Sequence, residues 1–335
     1  MFKPEPQELA ALLATLKQAA SSNPNEAAAA QREVAKAIEN PIRKVLLSGD
    51  IVSGIYTPMD FTSNPRVEFL LDLLTPGQER QHYAYVIPNH GQIPMKRVEY
   101  DYLMVPTYRI GNSIDCVIRI IEDANMPIIS RMIEIMEAGV VKKLNDDGWQ
   151  TILSAAVDRN VLINDPNASA GQFTHRLVTL MKTFMRRNGG GNSGTMNRSK
   201  LTDLYLSPEA VDDIRTWNLE QVPDQVRTNI YYSDDAGNEL VNIFNVNLHA
   251  LDEFGEAQEY QNYFSGTLGG SMAASDVEIV VGLDRSKQDF VMPYRKRLEV
   301  FEDNTLHRQG LFGLYCWQEQ GFACLDSRRV ILGSI

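Results

Sequence analysis

Residues 126–156 read MPIISRMIEIMEAGVVKKLNDDGWQTILSAA, and this stretch decides the fold because it carries the strongest helical pattern in the chain. Its apolar side chains recur every three or four residues, as on one face of a helix: Ile129, Ile133, Met136, Val140 and Leu144. Asn125 can cap the start, so the pattern predicts one helix over residues 127–155, about 43 Å long at about 1.5 Å per residue. Asp147-Gly148 offers an earlier end as the alternative.

The chain before this helix begins with an arm. Residues 5–47 predict helices with one narrow apolar stripe, formed by Leu9, Leu12, Leu13 and Leu16. A stripe this narrow cannot form a core of its own, so we expect it to dock on another surface. The pattern fits equally a helical hairpin that packs on its own domain.

Residues 56–112 predict a long β-hairpin. From Arg97 to Met104 charged side chains alternate with apolar and aromatic ones, which is the period of a strand. Residues 82–87 (HYAYVI) are the second strand candidate, and residues 88–94 form a broad tip with Pro and Gly. An isolated hairpin is only marginally stable in water, so this tyrosine-rich one needs a partner surface.

The chain after the long helix reads as a mixed α/β region followed by strands. Between residues 160 and 289 we predict a helix over 172–187, a strand over 201–206 and a helix from the cap Ser207 to about Trp217. A hairpin of residues 230–232 with 240–246 and a buried strand at 277–281 follow. The last part predicts four short strands, at 297–301, 311–317, 322–325 and 330–332.

The composition is that of an ordinary globular protein, with 335 residues, 44% apolar and 22% charged. The net charge of −11 argues against a surface that coats nucleic acid, although it suits a protein that encloses it. Cys116, Cys316 and Cys324 are too few and too widely spaced for a zinc or redox site, so we predict inert buried thiols. No stretch is apolar enough for a signal core or a membrane span, so we expect a soluble protein made in the cytoplasm.

Motifs for chemistry are missing from the sequence. GGGNSGT at 189–195 has Thr where a phosphate loop needs Lys, and SDDAGNE at 233–239 lacks the spacing of a calcium loop. The histidines lack the spacing of a metal site; they are His82, His90, His175, His249 and His307. We therefore expect no enzyme, no catalytic residue, no cofactor and no metal. The basic pairs and runs at 294–297 and 328–329 read as solvated strand ends, or as contacts to DNA or to an acidic neighbour.

The order of these elements resembles the major capsid proteins of tailed phages, whose Johnson fold also occurs in encapsulins and in the herpesvirus capsid floor. Residues 105–156 look like the return of the extended loop running into the spine helix. LYLSPEAVDDIRTW at 204–217 is similar to the strand and helix that follow the first helix of the axial domain. Residues 281–335 look like the peripheral-domain strands followed by the final axial-domain strand.

The resemblance implies an α+β capsid fold with four parts. Residues 1–55 would be the N-arm and 56–112 the extended loop. The peripheral domain with its spine helix would take 113–159 and 290–318, and the axial domain 160–289 and 319–335. The candidate inter-subunit contacts lie in the arm and the hairpin: Leu9, Leu13, Tyr83, Tyr85, His90, Lys96, Tyr100 and Tyr102.

The same resemblance implies a virion protein that assembles with itself into pentamers and hexamers around double-stranded DNA. Scaffolding, portal and decoration proteins are further implied partners; residues 1–55 are short for a fused scaffold, which favours a separate one. Some family members join subunits by a Lys–Asn isopeptide bond, and here Lys96 and Asn304 leave that question open. An encapsulin-type compartment shell is the alternative function, and a soluble two-domain α/β enzyme is a third.

Overall fold

The computed structural model of the chain describes residues 51–63, 66–70, 102–117, 126–158, 161–169, 171–188, 199–217, 242–255, 258–262, 278–303 and 305–335. These residues divide into two compact units. The first unit takes the described residues within Met1–Glu68, Met104–Gly148 and Val291–Ala323. The second takes those within Phe69–Leu103, Trp149–Phe290 and Cys324–Ile335.

Helices and strands alternate along the described part of the chain. The α-helices are α1 (Ile51–Ile55), α2 (Met126–Asp158), α3 (His175–Asn188), α4 (Pro208–Thr216) and α5 (Glu259–Asn262), and short 3-10 turns span Leu306–Gln309 and Ser327–Arg329. The strands are β1 (Thr57–Asp60), β2 (Glu68–Leu70), β3 (Tyr102–Met104), β4 (Tyr108–Val117), β5 (Leu162–Asn164), β6 (Asp203–Leu206), β7 (Asn242–Ile243), β8 (Val246–Ala250), β9 (Ile279–Leu283), β10 (Phe290–Glu302), β11 (Leu311–Gln320), β12 (Ala323–Cys324) and β13 (Val330–Ser334).

The predicted long helix is confirmed, and the alternative of an early end at Gly148 is wrong. α2 runs unbroken through both of its internal glycines. Each glycine stands where a neighbouring side chain lies too close to the helix for a Cβ. The side chain of Val52, on α1, occupies the space where a Cβ of Gly148 would stand. The hydroxyl of Tyr56 donates a hydrogen bond to the carbonyl oxygen of Gly148 at 2.9 Å. Gly139 leaves room for Asn112, whose amide donates to the Met136 carbonyl oxygen at 3.3 Å.

A five-stranded sheet organises the first unit. Its strand order is β1-β10-β11-β4, and β12 also pairs with β10. β1 runs parallel to β10, whereas β10, β11 and β4 are antiparallel. β4 pairs with β11 along its whole length, from Tyr108 opposite Gln320 to Val117 opposite Leu311. The predicted boundary between residues 112 and 113 falls inside this strand, and the domain limits stay a prediction.

A six-stranded sheet of order β5-β13-β9-β6-β8-β7 organises the second unit. The central strands β6 and β9 are buried at every position, so both faces of the sheet are covered. α3 and α4 pack on it through one apolar cluster that includes Leu177, Met181 and Ile214. The predicted cap of α4 is confirmed: Ser207 Oγ accepts a hydrogen bond from the Ala210 amide at 3.0 Å, and Pro208 opens the helix.

The predicted strand over residues 240–246 is interrupted near its end. The chain turns at Phe244 and Asn245, so that Ile243 pairs with Val246 in a tight hairpin of β7 and β8. Both turn residues have positive φ, 50° and 61°, as the type of turn that matches the twist of two antiparallel strands requires. The predicted partner at 230–232 and the glycine-rich loop at 189–194 lie outside the described residues. Among the described helices, none is long and apolar enough to cross a membrane.

Candidate assembly surface

β11 presents two different rows of side chains. Its even positions, including Phe312, Leu314 and Cys316, are buried. The same row continues on β4, where Asn112 stands opposite Cys316 and bonds to the backbone of α2. The sheet therefore has one face toward α2 and one face away from it. A one-sided antiparallel sheet normally carries polar residues on the outer face.

The outer face of this sheet carries aromatic rings instead. We define the aromatic face as Phe301 on β10 with Tyr315 and Trp317 on β11. Phe301 stands directly opposite Tyr315, and their stacked rings lie 5.4 Å apart between centroids. Phe301 also stacks on Trp317 at 6.1 Å. Tyr315 remains 38% exposed, so this cross-strand cluster is a surface feature rather than a core.

Cations border the aromatic face on both sides of Trp317. The Arg109 guanidinium carbon lies 4.6 Å from the centre of the Trp317 ring, and Lys296 Nζ lies 4.4 Å from it. Such contacts are worth about 0.5–1 kcal/mol each at exposed sites. Glu319 adds a carboxylate, which Arg295 binds at 3.3 Å and Arg109 approaches at 4.0 Å. Glu299 adds another, because it stands directly opposite Trp317 on β10. The face is therefore apolar at its centre and bordered by charges of both signs.

This arrangement is suited to binding another protein surface. Contiguous exposed aromatic groups rimmed by charge are typical of interaction sites on soluble proteins. Aromatic and Arg side chains also dominate the energetically important positions of protein interfaces. Because the border carries both signs, the complementary surface would be apolar with charged groups of both signs around it.

Tyr102 is the predicted contact residue that falls within the described residues. It lies on β3, as predicted, and pairs through that strand with β2. Tyr102 is 62% exposed and Met104 is 60% exposed, so their shared side of the strand is open to solvent. The other predicted contacts lie outside the described residues: Leu9, Leu13, Tyr83, Tyr85, His90, Lys96 and Tyr100. Their roles stay predictions.

The aromatic face was missed by sequence reasoning, although a signal for it existed. In LFGLYCWQEQ the even positions hold Phe312, Leu314 and Cys316, and the odd positions hold Tyr315 and Trp317. Two apolar sets at alternating positions indicate a strand that is apolar on both faces. The pairing with Phe301 depends on strand register, which the sequence alone did not supply.

The second unit contains a polar cluster around Asp203. His249 Nε2 lies 3.0 Å from one Asp203 carboxylate oxygen, and the hydroxyl of Thr202 donates to the other at 2.7 Å. Asn247 and Arg285 complete the contacts at 3.3 and 3.4 Å. Burial alone would raise the pKa of Asp203, but these hydrogen bonds and the charge of Arg285 lower it to about 2. The cluster is thus a stable anion held by its neighbours, which is a structural role.

The cysteines lie on strands, as predicted. Cys116 and Cys316 are buried, and Cys324 is half-buried. Burial raises the pKa of all three thiols, to about 11 for Cys116 and about 12 for Cys324. A thiol with so high a pKa is a poor nucleophile at neutral pH. Within the described ranges, no group of three His, Cys, Asp or Glu side chains could hold a metal ion.

Comparison with known proteins identifies the fold. No protein-family model matches the sequence, and no curated protein matches it. A solved structure from Microbacterium phage Oxtober96 superposes with a TM-score of 0.55 at 12% identity, covering 86% of this chain and 91% of that chain. The capsid of a native GTA particle gives 0.51 at 9% identity, with 85% and 89% covered. The mature capsid of bacteriophage PhiM1 gives 0.51 at 12% identity, with 85% and 86% covered. The chain therefore has the predicted phage capsid-protein fold.

Proposed function

We propose that this chain is the major capsid protein of a tailed phage. Many copies assemble into pentamers and hexamers, which form an icosahedral shell around double-stranded DNA. The observation that carries the proposal is a fold shared with phage capsid structures over about 85% of the chain. Because those neighbours come from phage and GTA particles, they favour this reading over the encapsulin-type compartment.

The aromatic face supports the proposal from the residues upward. A monomeric protein gains little from exposing Tyr315 beside Phe301 and Trp317, since those rings would be better buried in a core. In a shell protein the same rings contribute to subunit contacts. The strand with Tyr102 and Met104 supports the proposal in the same way, because these two large side chains are 62% and 60% exposed.

The shell proposal includes the domain plan and the partners. Residues 1–55 act as the N-arm, 56–112 as the extended loop, 113–159 and 290–318 as the peripheral domain, and 160–289 and 319–335 as the axial domain. The net charge of −11 suits a container that encloses DNA without binding it tightly. The protein resides in the virion after synthesis in the host cytoplasm, and scaffolding and portal proteins take part in assembly. It has no catalytic role.

The size of the purified protein tests the proposal most directly. A shell protein yields capsomers or particles of megadalton scale in light scattering and in electron micrographs. A chain that stays a monomer or a small oligomer under all assembly conditions, with a scaffolding protein from the same source present, would contradict the proposal. That outcome would instead favour the soluble-enzyme alternative.

A variant of the aromatic face separates assembly from folding. Tyr315→Ser combined with Trp317→Ser should remove the exposed rings and prevent large particles, while the far-ultraviolet circular dichroism spectrum stays unchanged. The matched control is Tyr315→Phe combined with Trp317→Phe, which keeps a ring at each position and should still assemble. Equal assembly of both double variants would show that the aromatic face is not a subunit contact.

A further inference from the structure

The strands of the second unit give its sheet two distinct ends. β6 and β8 run parallel, with Asp203 opposite Asn247 at one end and Leu206 opposite Ala250 at the other. β9 runs the opposite way, and its last residue, Leu283, stands opposite Asp203. One end of the sheet therefore gathers the segments that enter β6 and β8 and leave β9. The other end gathers the segments that leave β6 and β8.

The end at Asp203 also receives the last turn of α3. That helix packs against the 3-10 turn Ser327–Arg329, which directly precedes β13. Lys182 Nζ donates a hydrogen bond to the carbonyl oxygen of Phe244, at the tip of the β7–β8 hairpin. The exposed cations of this end come from α3 and from the segments beside β6 and β9: Arg186, Arg187, Lys200, Arg285 and Lys287. We call this surface the basic end.

Among the described residues, the carboxylates at the basic end are buried or partly buried and are paired with Arg285, Arg328 and Arg329. The Asp203 side chain is 4% exposed and binds His249 and Arg285. The Asp284 side chain is fully buried and binds Arg329, which is itself 3% exposed, at 2.7 Å. Among the described residues, the charge exposed at this end is therefore mainly positive.

An aromatic ring stands among these cations. Phe244 is 40% exposed, and its φ of 50° is uncommon for a bulky side chain. The hydrogen bond from Lys182 fixes the backbone of this residue. The basic end thus combines surrounding positive charge with one projecting apolar group.

At the opposite end of the sheet, the described residues beside the exits of β6 and β8 include an acidic group. The amide of Leu251 donates to the Leu206 carbonyl oxygen at 2.9 Å, which places the loop after β8 beside the exit of β6. Glu209, in the first turn of α4, lies against Gly255 of the same loop. Asp252 and Glu253 stand in that loop. We call Glu209, Asp252 and Glu253 the acidic end.

We propose that the basic end of one copy binds the acidic end of a second copy. Opposite charges on opposite ends of one sheet are complementary between copies, and the contact repeats because a bound pair still offers one free basic end and one free acidic end. A head-to-tail contact of this kind generates a ring when its rotation closes. The inference rests on the proposed shell function, and it assigns the surfaces that join neighbours within one pentamer or hexamer.

Charge reversal with compensation tests the contact. The basic-end variant is Arg186→Glu with Arg187→Glu, and the acidic-end variant is Asp252→Lys with Glu253→Lys. Each alone should weaken ring formation by about tenfold or more in native mass spectrometry and sedimentation, because like charges then face each other. A chain that carries all four substitutions exchanges the two signs and should regain rings. Arg186→Lys with Arg187→Lys keeps the charge and should behave like the original chain.

The outcomes distinguish this inference from the function on which it rests. If the unaltered chain never forms rings or shells, the proposed function fails. If it does form them and both reversed variants assemble equally well, the function stands and the head-to-tail contact is wrong. Impaired single-end variants without recovery in the fourfold variant would also overturn the contact. Salt gives a measurement on the unaltered chain alone, since ring association between exposed charges should weaken as ionic strength rises.

Discussion

The two sheets of this molecule differ in where they leave side chains open. In the first unit, β11 buries one row and exposes Tyr315 on the other, with Phe301 and Trp317 beside it. In the second unit, β9 is buried at all of its positions, and the basic end and the acidic end lie at the two ends of the sheet. The first sheet can therefore bind a neighbour through its face. The second is closed on both faces and offers its ends and its outer helices instead.

This difference predicts how substitutions divide between folding and assembly. A buried aromatic residue of the second unit should matter for stability, whereas an exposed one of the first unit should matter for association. Buried charges near the basic end should also matter for stability, because they hold segments of the second unit in place. The following variants test this division.

The largest effect is expected at Trp149 in the second unit. Its fully buried ring contacts Tyr205 at 4.9 Å and Phe254 at 5.3 Å between centroids. Trp149→Ala should lower the free energy of unfolding by about 3–5 kcal/mol in denaturant titration. Trp149→Phe should cost clearly less, because it keeps a ring and removes an indole N–H that has no hydrogen-bond partner among the described residues. Equal losses from both variants would contradict ring packing as the cause.

The next effect is expected at the ion pairs of Arg329. Its guanidinium binds Asp284 and Asp289, each at 2.7 Å, and the Asp284 side chain is fully buried. Arg329→Met should lower the free energy of unfolding by about 3 kcal/mol, because it leaves a buried charge unpaired. Adding Asp284→Asn removes that charge and should restore part of the loss. A double variant that is as unstable as the sum of both single variants would contradict this account.

The pH dependence of stability should reveal how much the ionised Asp203 contributes to the free energy of unfolding. Its pKa is about 2 in the folded chain, whereas the ordinary value without these contacts is 3.8, so the folded state favours the ionised form. This contributes about 2 kcal/mol, which is fully present above about pH 4 and is lost as the pH falls through 3.8 toward 2. Asp203→Asn should reduce the slope of unfolding free energy against pH in that window. An unchanged slope would show that other carboxyl groups cause the acid sensitivity.

The smallest effect on stability is expected at the aromatic face. Tyr315→Ser removes one stacked pair at a position that is already 38% exposed, so it should cost about 1 kcal/mol in the unfolding free energy of the dissociated chain. Tyr315→Phe keeps the pair and should cost less. A loss comparable to that of Trp149→Ala would erase the distinction between the two sheets.

The sequence predicted those parts of the fold whose pattern is local. The unbroken α2 followed from apolar spacing, and the start of α4 followed from Ser207 and Pro208. The turn at Phe244 was missed because neither Phe244 nor its neighbours is the Gly that usually marks such a turn. Arg329 was predicted to be a solvated strand end, yet it is buried and pairs with Asp284, which is distant in sequence. The aromatic face was not predicted from the sequence for the same reason, since its rings meet only through strand register.

The three thiols give this chain a practical property. Because burial keeps Cys116, Cys316 and Cys324 protonated at neutral pH, maleimide reagents should not react with them in the folded protein. A cysteine introduced at an exposed position would then be the one labelled site of each copy. Fluorescent dyes or heavy-atom clusters attached there would report distances between copies as they assemble, without removal of any native residue.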